Sequence, residues 1–145
     1  MKKAIFLIII TFAIAASPSF SQSCIQPGAL VSIFNTKKGK YEYLIFKFVA
    51  PYKSKGTISS GPNNLFNSEN RTGKTYHRIA FSDVTSFCHD KWILDLPQKK
   101  ILDFKTPELG NGNAVYLFEL APGAKITSHI TYKQQIYHFV KIRIE

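Results

Sequence analysis

Apolar and polar residues alternate with a period of two through most of this chain, in short runs broken by Gly, Pro and Asn. The run 41–49, YEYLIFKFV, is the fullest: Tyr41 and Tyr43 share one face, and Leu44, Phe46 and Phe48 share the other. Successive side chains of a strand point to opposite sides of its sheet, so each run offers one face to a core and one to something else. The same reading predicts strands over 30–35, 56–60, 76–82, 91–96, 100–105, 114–120, 125–132 and 136–144. β-branched and aromatic residues fill these windows, and no stripe at i, i+3, i+4 and i+7 marks an amphipathic helix beyond the N-terminal segment. No internal repeat or low-complexity linker divides them. The expectation is one all-β domain, a single antiparallel β-sandwich of immunoglobulin-like or jelly-roll type, with a small closed β-barrel as the alternative.

Turn chemistry refines this. Gly39 in TKKGK can take the positive φ of a hairpin turn and joins run 30–35 to 41–49. Pro122-Gly123 fits the two centre positions of a type II turn. Beyond it, Ala124, Ile126, Ser128, Ile130 and Tyr132 alternate with Lys125, Thr127, His129 and Thr131, which predicts a dry even face and a wet odd one. The last run places Ile136, His138, Val140, Ile142 and Ile144 on one side, with Lys141 and Arg143 on the other. Runs 114–120, 124–132 and 136–144 are expected to form an antiparallel meander. Residues 61–74, GPNNLFNSENRTGK, are polar and long for a hairpin loop, and read as a surface excursion that includes the sequon Asn70-Arg71-Thr72.

The first residues read as an address. Met1-Lys2-Lys3 is followed by thirteen uncharged residues and then SPSFSQ, the plan of a secretory signal peptide over 1–21. Cleavage is expected after Ser21, or alternatively after Ala15, leaving a domain over 22–145. The apolar run falls short of the roughly 18 to 20 residues that span a bilayer, so no transmembrane segment is expected in the mature chain. The product would be secreted or periplasmic. Ser21-Gln22-Ser23 lacks the leucine-like and small residues that precede a lipid-modified cysteine, so Cys24 is not expected to carry an anchor. In an oxidising compartment Cys24 and Cys88 are expected to pair, and closing that loop should contribute about 3 to 4.5 kcal/mol. The triplet Cys88-His89-Asp90 is then scaffold, since neighbours on an extended chain point apart.

Charge narrows the partners. Lysine and arginine number 19 against 9 acidic residues, a net charge of +10; without Lys2 and Lys3 the mature chain carries +8. That balance favours a protein, a glycan or another anionic envelope component. The densest basic group, Lys37, Lys38 and Lys40 on a predicted hairpin tip, is the candidate anion-binding set. Arg71, Arg78 and Arg143 are the only arginines, too few for the bidentate contacts of specific nucleic-acid recognition. Tyr41 and Tyr43 are candidates to stack on sugars. The carboxylates Asp83, Asp90, Asp95, Asp103, Glu108 and Glu119 occur singly, and His77, His129 and His138 are scattered. There is no C-x-x-C, H-x-x-x-H, phosphate loop or G-x-S-x-G elbow. No catalytic, cofactor-binding or metal residue is assigned. The expected function is a non-catalytic exported module that binds an envelope or extracellular partner; the alternatives are a small hydrolase with a fold-assembled site, or a lipid-anchored surface protein.

Overall fold

The computed structural model describes residues 23–62, 75–88 and 99–145. A 3-10 turn, Ser23–Ile25, precedes strands β1 (Leu30–Lys38), β2 (Tyr41–Val49), β3 (Thr57–Pro62), β4 (Thr75–Phe81), β5 (Ile101–Gly110), β6 (Asn113–Leu120), β7 (Ile126–Gln134) and β8 (Tyr137–Ile144). Among the described residues they form two antiparallel four-stranded sheets, ordered β1-β2-β8-β7 and β3-β4-β6-β5. The sheets do not close into a barrel. This is the expected sandwich.

Local chemistry sets the hairpins. Gly39 opens the two-residue β1–β2 loop with φ 60°. Asn111 and Gly112 both take positive φ (51° and 75°) between β5 and β6, as a type I′ turn requires. Pro122-Gly123 makes the expected type II turn: Gly123 has φ 81°, and Ala124 N donates to Ala121 O at 2.9 Å. The predicted meander is corrected, however. Residues 121–125 carry the chain from the second sheet to the first, so β6 pairs with β4 and β5, while β8 lies between β7 and β2.

The core fills the space between the sheets. Leu44, Phe46 and Phe48 of β2 and Val140, Ile142 and Ile144 of β8 face Ile79, Phe81, Tyr116 and Phe118 of the other layer, all buried. The Phe46 ring centroid lies 4.8 Å from Phe81 and 5.3 Å from Tyr116. Phe48 stacks on Tyr52 at 4.1 Å, and Tyr52 Oη donates to Ser82 O at 2.7 Å. Burial pushes the Tyr52 phenol up to about 12.

One alternation differs from its prediction. A register shift between Ile126 and Ser128 turns the rest of β7 over, because a bulge inserts one residue and swaps the faces beyond it. Ile126 packs against the core, but Ser128, Ile130 and Tyr132 stand opposite Arg143, Lys141 and Phe139 on the outward face. Ile130 is accordingly 50 % exposed. Ile136 lies in the β7–β8 turn and is also exposed, whereas His138 is buried on the apolar side as expected.

Cys24 and Cys88 form the expected disulfide, with Cα atoms 5.5 Å apart. The segment before Cys88 runs beside β1: Leu30 N donates to Ser86 O at 2.8 Å, and Cys88 N donates to Leu30 O at 2.9 Å. Such a bond is compatible with an oxidising location. The leader 1–21, the excursion from 63 onward with its sequon, and the strand over 91–96 lie outside the described residues, as do His89, Asp90, Trp92 and Asp95. No helix among the described residues is long and apolar enough to cross a membrane.

Candidate anion-binding face

The outward side of the β1-β2-β8-β7 sheet is built by register. Residues directly opposite in an antiparallel pair point to the same side. Since Leu44, Phe46 and Phe48 point into the core, Tyr41, Tyr43, Ile45, Lys47 and Val49 point out. Across from them on β8 stand Arg143, Lys141, Phe139 and Tyr137, opposite Tyr43, Ile45, Lys47 and Val49 respectively. β1 adds Phe34 and Lys38, and β7 adds Ile130 and Tyr132. Four cations therefore share this face with Tyr41, Tyr43, Tyr137, Phe139, Tyr132 and Phe34. The only carboxylate within these four strands is Glu42, which points inward.

The cations lie diagonally over the rings. Lys141 Nζ is 4.1 Å from the Tyr43 centroid, Lys47 Nζ is 3.8 Å from that of Tyr137, and the Arg143 guanidinium is 4.8 Å from that of Tyr41. Tyr132 and Phe139 stack at 4.9 Å, nearly parallel. A ring quadrupole holds a cation by about 0.5 to 1 kcal/mol at such sites without cancelling its charge. These side chains are thus positioned while the face stays positive.

The hairpin-tip lysines separate. Lys38 joins the face; Lys37, one residue earlier, stands opposite Glu42 on the inner side. Lys40 pairs with the Glu145 carboxylate while lying 5.2 Å from the Tyr41 ring. Glu145 raises the Lys40 pKa through a hydrogen bond and direct attraction, and Lys40 lowers that of Glu145 in return. The cations that sequence reasoning left ungrouped are Lys47, Lys141 and Arg143. Their signal was present in the outward positions of β2 and β8, but the β2–β8 pairing that unites them is long-range.

A second concavity, a cleft of about 960 Å³, lies where 121–125 crosses between the sheets, lined in part by Ile58, Ser60, His77, Leu120, Ile126 and His129. Ser60 Oγ and His77 Nδ1 are 2.7 Å apart, and burial lowers the His77 pKa. His129 Nε2 donates to Lys55 O at 2.6 Å, tying β7 to the segment before β3. Of the described carboxylates only Glu119 lines the cleft, and its Oε2 accepts from Tyr76 Oη at 3.4 Å. Asp103, opposite Glu119 on β5, does not reach the cleft. Among the described residues no group of three His, Cys, Asp or Glu side chains is placed to hold a metal ion.

No family model, no curated protein and no solved structure matches the chain.

Proposed function

We propose that this protein is exported and acts as a non-catalytic module, holding an anionic polymer of the envelope or extracellular space against the outward face of the β1-β2-β8-β7 sheet. One observation carries the reading: Lys38, Lys47, Lys141 and Arg143 share a face on which the four strands place no outward carboxylate, Glu145 at its Tyr41 end being paired with Lys40, and three of the cations are held by aromatic rings. Ordinary solubilising surfaces mix both signs of charge. A face with such an excess of cations attracts polyanions and repels other basic surfaces.

The test is titration calorimetry of the mature domain with polygalacturonate, heparin and poly(glycerol phosphate) at low and moderate salt. At least one should bind, with affinity falling about tenfold or more between 50 and 200 mM salt. Combined Lys47→Gln, Lys141→Gln and Arg143→Gln substitution should abolish binding and leave the fold intact. Absence of binding to all three polymers, or undiminished binding by the triple variant, would defeat the proposal.

A further inference from the structure

The sheet edges among the described residues are not guarded equally. Unpaired edge amides and carbonyls invite another strand; charges, prolines, irregularities and covering segments block it. β1 starts beside the segment 86–88, which bonds both the amide and the carbonyl of Leu30, and it ends in Lys37-Lys38. β5 contains Pro107, which has no amide hydrogen, the charges of Asp103, Lys105 and Glu108, and two register shifts. β3 has six residues and closes on Gly61-Pro62. β7 has nine residues, no proline or glycine, and one formal charge, Lys133, next to its end. Among the described residues it ends its sheet, with β8 as its one neighbour.

The hairpin fixes which backbone groups of β7 are free. Gln135 and Ile136 form a two-residue turn with positive φ at Gln135 alone, the type II′ pattern. The residues flanking such a turn, Gln134 and Tyr137, exchange both of their backbone bonds, and every second pair back from it does the same. Tyr132, Ile130 and Ser128 therefore bond β8, and the amides and carbonyls of His129, Thr131 and Lys133 point away from it. Ile130 and Tyr132 are also exposed on the outward face. The neighbouring cations lean the other way: Lys141 and Arg143 lie over Tyr43 and Tyr41 of β2. The edge is thus open, apolar and locally uncharged.

We infer that β7 pairs antiparallel with β7 of a second copy of this chain, about a two-fold axis at Thr131. The pairing does not depend on the anion-binding face. The regular stretch past the bulge, Ser128–Gln134, is centred on Thr131. Laid against its copy, it sets Thr131 opposite Thr131, Ile130 opposite Tyr132, Ser128 opposite Gln134 and Lys133 opposite His129. Thr–Thr pairs and pairs of a β-branched with an aromatic residue are favourable across strands, and no two formal charges meet. The strand is its own complement. His129, Thr131 and Lys133 then exchange about six main-chain bonds with their counterparts. Two-fold pairing uses up both β7 edges, so assembly stops at the dimer, and the two four-stranded sheets become one continuous sheet.

Sedimentation velocity and amide hydrogen exchange on the mature protein, from about 5 to about 500 μM, test the pairing. Monomer should give way to dimer over this range, and exchange at His129, Thr131 and Lys133 should slow about tenfold at the upper end. Thr131→Pro removes an edge N–H that β8 does not use, and Ile130→Lys sets a charge on the apolar edge; each should hold the protein monomeric throughout. Should the proline disturb the strand itself, the lysine variant and the exchange data still decide. Added salt should strengthen the dimer, because both copies are cationic, whereas it weakens polyanion binding. A protein that stays monomeric at about 500 μM overturns the pairing and leaves the anion-binding face untouched. A dimer that both variants still form, a dimer whose edge amides exchange as in the monomer, or growth past the dimer would overturn it equally.

Discussion

Replacing Glu42 by Gln should destabilise this fold by about 2 kcal/mol. Glu42 stands on the inward side of β2 and is 1 % exposed. Its Oε1 accepts from Lys99 N at 2.9 Å and its Oε2 from Lys100 N at 2.8 Å. The two amides lead into β5, so one carboxylate ties the first sheet to the second. A buried carboxylate carries a desolvation cost of several kcal/mol, offset here by two charge-assisted bonds of about 1.5 to 3 kcal/mol each. Glutamine keeps the shape but turns an N–H toward one of the amides. One bond becomes neutral and weaker, and a buried donor is left without its acceptor, a loss of about 1 to 3 kcal/mol. At about 4 °C per kcal/mol for a domain of this size, the melting temperature should fall by about 8 °C. Glu42→Ala, which loses both acceptors and leaves a void, should fall further. Thermal and urea unfolding measure the loss; amide hydrogen exchange at Lys99 and Lys100 localises it. A change under about 0.5 kcal/mol with unaltered exchange at both amides would refute the argument that this carboxylate joins the layers.

Reduction of the Cys24–Cys88 bond, which closes a separation of 64 residues, should cost about 4 kcal/mol, read as a lower urea midpoint in dithiothreitol; free alkylation of both thiols in the native, unreduced protein would contradict the pairing. Gly56→Ala should cost about 2 kcal/mol by thermal unfolding, because φ is +74° and an added Cβ would sit 2.6 Å from Phe81 Cε1 and 2.9 Å from Ile79 Cδ1. Burial lowers the pKa of His138, with Lys133 adding repulsion, and burial lowers that of His77. The unfolded chain therefore binds more protons below the ordinary histidine value of about 6.5, and stability should be full above that pH and fall as pH drops through it. His138→Leu should flatten the dependence of the urea midpoint between pH 7.5 and 5.5, and an unchanged slope would remove His138 as its source.

The sandwich was legible because its strands announce themselves locally. Alternation in Tyr41–Val49 and Gly39 at the adjoining turn specify the β1–β2 hairpin without reference to the rest of the chain. Asn111-Gly112 is an equally local hairpin signal that extends β5 to Gly110, beyond the stretch 100–105 that hydrophobicity marks; Glu108 and Leu109 lie exposed there, so polarity concealed the strand. The face of β7 was not legible, since a single-residue bulge reverses every side chain beyond it and has no compositional mark at Thr127. Nor was the inward Glu42, whose acceptor role depends on amides 57 and 58 residues away. The anion-binding face shares this difficulty. Its cations sit on strands near positions 40 and 140, and only the β2–β8 pairing brings them onto one face.

Charge is distributed unequally between the two outward surfaces. The β3-β4-β6-β5 sheet turns its own inward residues, Ile79, Phe81, Tyr116 and Phe118, to the core, so the register places Arg78, Asp103, Lys105, Glu108 and Glu119 on its outer side. Both signs occur there, and Lys105 Nζ lies 3.9 Å from Asp103. On the opposite surface cations predominate, with Glu145 at the Tyr41 end paired to Lys40. Packed sheets stand about 10 Å apart before their outward side chains are counted. That separation exceeds the Debye length of about 8 Å at physiological ionic strength. The acids of one surface therefore do little to cancel the field of the other. Had the face used Glu or Asp to hold its lysines, each ion pair would have removed the charge it positioned. Tyr41, Tyr43 and Tyr137 hold the same side chains and leave the charge in place, which is what a surface needs if it is to hold an anionic ligand.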